Sequence, residues 1–155
     1  MWNDSRADAL KEFMSRSQTR KFADGTIANL SIQEYWSADI PPQASEQMLA
    51  YYLAKNSSFL DLEEFATIVF LFESEDDLNE AERLAFKKLR GIPEIANSLF
   101  VQEWNYHCAK LNKPPLKLNE QVIQKAYAIK DQWNYKLYVA SGKSDYFACV
   151  WSTSA

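Results

Sequence analysis

Three glycines in 155 residues constrain this chain more than any other feature. Glycine enters left-handed backbone conformations without steric penalty, and tight two-residue hairpins depend on such conformations. So few of them argue against a fold made of many hairpins. The punctuation that exists is Asp24-Gly25, Pro41-Pro42, Gly91 with Pro93, Pro114-Pro115 and Gly142. It divides the chain into stretches of helical length.

Each stretch carries helical signals. Ser5 with Asp8 resembles a capping box beside Ala7, Leu10 and Met14. Ser31 with Glu34 is a full Ser-x-x-Glu box and predicts a short helix carrying Tyr35 and Trp36, closed by Pro41-Pro42. From Ala44 to Lys55, Met48, Leu49, Tyr52 and Leu53 recur at helical spacing. Phe59 to Phe72 is the most apolar stretch. Leu62, Phe65, Ala66 and Val69 fit a helix face, while the β-branched and aromatic run 67–72 offers a buried strand as the alternative.

Ser74 with Asp77 opens a further helix along Leu78, Ala81, Ala85 and Leu89, with Gly91 as its C-cap. Pro93 sits in the first turn of the next, which runs through Ile95, Leu99, Trp104, Cys108 and Leu111. Asn119 caps the longest, about 120–141, with Val122, Ile123, Ala126, Trp133, Leu137 and Ala140 turned inward. Tyr146 to Trp151 reads as a strand or a last packed turn. The expected fold is mainly α: a single domain over 1–155, an orthogonal bundle of six or seven helices, with 67–72 and 146–151 as the only strand candidates.

A chain of this length buries roughly two-thirds of the surface its unfolded form exposes, so it needs no covalent staple. Cys108 and Cys149 are therefore expected to be reduced thiols. Met1 to Met14 is charged and lacks the apolar core of a secretory leader, and no run approaches the ~20 apolar residues of a membrane span. A cytoplasmic protein without membrane association is the expectation.

Charge is distributed unevenly. Residues 1–21 carry net +2, residues 22–100 net −9, and residues 101–155 net +3. From Asp61 to Glu82 there are nine acids and no base. Part of this is helix chemistry, because acids are favoured in the first turn of a helix. The rest is a surface sign that would steer a basic partner. A calcium loop is a poorer fit, since Glu73 to Glu80 has oxygens but no glycine turn.

Motifs that carry chemistry are missing. There is no Gly-x-Gly-x-x-Gly, no phosphate loop, no Cys-x-x-Cys and no His-Glu-x-x-His. His107 is the sole histidine, and its neighbour Cys108 would point about 100° away on a helix, so the two form no dyad. Arg16, Arg20 and Lys21, and Lys125, Lys130, Lys136 and Lys143 among aromatics, are the modest candidates for nucleic-acid contact. Against them stands a pI near 5.1.

The functional expectation is a non-enzymatic protein-binding domain of the inhibitor or immunity type. It would take a basic partner on an acidic patch, Glu73, Glu75, Asp76, Asp77 and Glu80, with Trp36 and Tyr52 as aromatic anchors. No metal and no cofactor is expected. A small-molecule or nucleic-acid-binding helical regulator, and an enzyme of unrecognised type, stand as the alternatives.

Overall fold

The β-branched and aromatic residues that helical spacing assigns to helices are, for the most part, the rungs of a sheet. The structure, a computed structural model, describes residues 30–36, 47–59, 61–73, 91–106, 108, 111 and 113–153. Its strands are β1 (Leu30–Trp36), β2 (Gln47–Lys55), β3 (Glu94–Ile95), β4 (Ile123–Gln132), β5 (Tyr135–Gly142) and β6 (Asp145–Thr153). Among the described residues two α-helices accompany them, α1 (Leu62–Glu73) and α2 (Asn97–Asn105). The strands form one antiparallel sheet in the order β1-β2-β6-β5-β4-β3.

The expected helical bundle is thereby overturned. The Ser31 to Trp36 helix is β1, the Ala44 to Lys55 helix contains β2, and the 120–141 helix is β4, a turn and β5. The helix at 62–73 is confirmed over its strand alternative, and 146–151 lies within β6. The segments read as helices from Ser5 and from Ser74 fall outside the described residues.

The reason lies in how the sheet is covered. Both faces are covered over its middle, so β2, β5 and β6 are buried at consecutive positions rather than at alternate ones, while β1 and β4 keep exposed polar residues. On the first face, Ala50, Tyr52, Ala54, Leu137, Val139, Tyr146, Ala148 and Val150 pack against α1. On the second, Leu49, Tyr51, Tyr138, Ala140, Phe147 and Cys149 pack against Phe100 and Trp104 of α2. Consecutive residues go to opposite faces, as the pleat requires. Alanines at 50, 54 and 148 leave room for α1 to lie close, and Phe65, Ala66, Ile68 and Val69 of that helix are fully buried.

Helix α1 holds its β-branched run because burial outweighs propensity. Asp61 Oδ1 accepts from the Glu64 amide at 2.9 Å, and the Thr67 hydroxyl donates to the Glu63 carbonyl at 2.9 Å. On the second face, the chain beyond α2 is tied down by side chains. Trp104 Nε1 donates to the Leu116 carbonyl at 2.8 Å. Asn105 donates to the Leu118 carbonyl and accepts from its amide. Asn119 does cap a helix, accepting from the Gln121 amide at 2.8 Å, but the helix is the single 3-10 turn Glu120–Val122.

Candidate functional site

Side chains of even-numbered residues in β1 and β2 point to the α1 face. This places Glu34 and Trp36 on the same face as Tyr52, with Ile32 opposite Tyr52, Glu34 opposite Ala50 and Trp36 opposite Met48. The Tyr52 hydroxyl crosses to the last turn of α1 and donates to the Glu73 carboxylate. Glu73 from the helix and Glu34 from the strand thus lie on one face of the sheet, with the charge of Glu34 acting on Glu73.

The electrostatics follow from burial. Glu73 is partly enclosed, and desolvation pushes its carboxyl above the ordinary range; the Tyr52 bond lowers it and the negative charge of Glu34 raises it. The Tyr52 hydroxyl is pushed up too, by burial first and then by Glu73 and Glu34. The site is a pair of acids, one of them partly withdrawn from solvent, with an exposed indole beside it: Trp36 is 58% exposed.

The expected site residues fare unequally. Glu73, Tyr52 and Trp36 come together at the β1–β2 side of the sheet. Tyr52, however, is 1% exposed, so it holds Glu73 from beneath the surface. Glu75, Asp76, Asp77 and Glu80 lie outside the described residues. Within the acidic window, Glu64 is buried and Asp61 caps α1, so the described acids there are not all surface charge. Tyr51 and Trp104 are core residues whose rings meet edge to face at 4.8 Å.

No family model, no characterised protein and no solved structure matches this chain.

Two residues stand elsewhere than helical spacing places them. Glu34, expected to cap a short helix, lies within the strand β1. Trp133 was assigned to the inner side of a long helix, yet it is 74% exposed on the two-residue turn between β4 and β5. The turn signal was there in Trp133-Asn134, flanked by two runs able to form strands, but asparagine without glycine is easily passed over.

The chemistry left to the other candidates is small. Cys149 and Cys108 are buried free thiols pushed up by desolvation, the reverse of an activated nucleophile. Among the described residues no group of three acids, cysteines or histidines is placed to hold a metal. His107, Arg16, Arg20 and Lys21 lie outside the described residues. The lysines of β4 and β5 do not form one basic track. Lys125 approaches Glu94 at 3.8 Å, Lys136 approaches Glu103 at 3.7 Å, and Lys130 lies over the Phe70 ring. Lys130 faces α1 while Lys136 faces α2. No helix among the described residues is long and apolar enough to cross a membrane.

Proposed function

We propose that this chain is a protein-binding domain that takes a basic partner on the acidic side of its sheet, in the manner of an inhibitor or immunity protein. What supports this reading is the placement of Glu34 and Glu73 on the α1 face at the β1–β2 side of the sheet, near enough for the charge of one to act on the other, beside the exposed Trp36. Acids gathered on a rigid strand and helix end attract a cationic surface, and an exposed indole supplies the apolar anchor such contacts use. Seven positions of unbroken β1–β2 pairing hold Glu34 and Trp36 in place, so little ordering is needed on binding. The net −9 of residues 22–100 extends the same sign over the surrounding sequence.

The test is affinity capture from the source cells with the wild-type chain and with a Glu34→Lys, Trp36→Ala double variant. Both positions are exposed, so the fold survives the change. The reading expects one basic protein, held by wild type, released by raised salt and not retained by the variant. Equal recovery by both chains, or recovery of acidic proteins alone, refutes it.

A further inference from the structure

Residues 113–118, Lys-Pro-Pro-Leu-Lys-Leu, lie between α2 and β4 on the second face of the sheet and belong to no helix or strand. The two prolines fix their own φ, and each holds the residue before it in extended backbone. Burial along the segment recurs at every third residue. Pro115 and Leu118 are buried, whereas Lys113 and Pro114, then Leu116 and Lys117, are exposed. A polyproline II helix completes a turn in about three residues, so one of its ridges faces the core here and two face outward. Side chains of the fold tie the backbone down. Tyr35 donates to the Lys113 carbonyl, Trp104 to the Leu116 carbonyl at 2.8 Å, and Asn105 to the Leu118 carbonyl at 2.8 Å.

The outward ridges are apolar and cationic. Lys113 shares one with Leu116, and Pro114 shares the other with Lys117. Leu116 is 50% exposed, a large side chain to leave in water. Among the described residues no acid forms an ion pair with either lysine. A chain of net charge −4 thus presents two uncompensated cations beside its apolar ridge.

We propose that residues 113–118 are a preformed polyproline II ligand, taken by a protein domain whose groove is lined with aromatic rings and flanked by acids. Addition to the edge of a partner's sheet is closed to this segment, because Pro114 and Pro115 have no N–H to donate. An extended, proline-fixed segment is read instead by its ridges, with proline and leucine packed between aromatic side chains. Lys113 and Lys117 select a groove with carboxylates at its rim. The backbone is already held by three side chains, so little ordering is lost on binding. The segment lies on the α2 face and the Glu34–Glu73 pair on the α1 face, so this inference does not rest on the basic partner proposed above.

The test is an amide NMR titration of the isotope-labelled full chain. The probes are purified SH3 and WW domains, which have aromatic-lined grooves, chosen for acids beside the groove. At least one is expected to bind, with shifts centred on Lys113, Leu116, Lys117 and Leu118. Leu116→Ala should weaken that binding about fivefold or more. A Lys113→Glu, Lys117→Glu double variant should weaken it further, and wild-type binding should fall as salt is raised. All three positions are exposed, so amides outside the segment should keep their wild-type positions. Lys125→Glu, which changes a lysine of β4 outside the segment, should bind as wild type does. The proposal is overturned if no domain shifts these amides at about 1 mM. Shifts centred elsewhere on the chain overturn it too, as does binding indifferent to both segment variants.

Discussion

The Tyr52 hydroxyl donates to the Glu73 carboxylate, and that bond joins the middle of β2 to the last turn of α1. Its importance comes from where the two groups sit. Tyr52 is 1% exposed, so water cannot readily replace its partner. Glu73 ends a helix, where the backbone dipole disfavours negative charge, and it is partly withdrawn from solvent. A carboxyl in that position needs a donor or a proton. Tyr52 provides the first, and desolvation favours the second.

Tyr52→Phe is therefore expected to destabilise the fold by about 1–3 kcal/mol while leaving ring packing intact. The loss arises from a half-buried carboxyl deprived of its donor, not from a cavity. Urea unfolding should show a lower midpoint with an unchanged slope. A midpoint equal to wild type would mean that the hydroxyl contributes nothing to stability.

The same pair predicts how stability varies with pH. Burial holds the Glu73 proton to a higher pH than its ordinary value near 4.5, reinforced by Glu34 and opposed by the Tyr52 bond. A group whose pKa is raised by folding contributes stability fully below its unfolded value, and that contribution is lost as pH rises through the folded value. Glu73 thus makes the fold weaken from the ordinary carboxylate range upward. Glu73→Gln should remove this slope, and Glu34→Gln should lessen it. Unfolding midpoints at a series of pH values from 4 to 8 check this, and superimposable wild-type and Glu73→Gln profiles would contradict it.

How far the sequence revealed all this can be judged strand by strand. Residues 48–54 of β2 are apolar throughout, since Leu49 and Tyr51 serve one face and Ala50, Tyr52 and Ala54 the other. A run with no polar member contains a helical stripe as readily as a strand, so periodicity had nothing to decide between. Glycine scarcity then misled. The β4–β5 hairpin turns through Trp133-Asn134 and the β5–β6 hairpin through Lys143-Ser144, so neither turn uses glycine. The helix expected along Ile95, Leu99, Trp104, Cys108 and Leu111 is shorter, Asn97–Asn105, with Ile95 in β3, and it buries Phe100 with Trp104 while Leu99 is exposed. The acidic bias was visible from composition, but the Tyr52–Glu73 bond joins residues from separate elements and left no local trace.

Gly142 is the glycine whose replacement should be felt most through space. A β-carbon there would lie 2.6 Å from the Val122 carbonyl oxygen and 3.0 Å from the Phe147 ring. The first contact is backbone, so no side chain can swing aside. Gly142→Ala is expected to destabilise by about 1–3 kcal/mol through the overpacking this forces. Gly91 makes the informative contrast: its φ is 76°, yet a β-carbon would touch nothing within 4 Å. Gly91→Ala should cost about 1 kcal/mol, from the left-handed backbone alone. Thermal unfolding of the two variants separates the effects, and a Gly142→Ala midpoint above that of Gly91→Ala would reverse the argument.

Cys108 and Cys149 report on the opposite face. Both are buried, at 8% and 7% exposure, under the chain that follows α2. Desolvation raises both thiols, most strongly Cys149, which also lies near the negative Glu103. Cys108 donates to the Trp104 carbonyl at 3.3 Å, one turn back. The thiolate is the reactive form, so these thiols are doubly protected, by enclosure and by protonation. Reaction with a disulfide reagent at pH 8 is expected to be at least about a hundredfold slower in the folded chain than in urea, where both thiols react together. Trp104→Phe removes the bond to Leu116 that closes this side and should speed labelling, most of all at Cys108. Prompt reaction of either thiol in the wild-type fold would show that the α2 face opens far more easily than its hydrogen bonds imply.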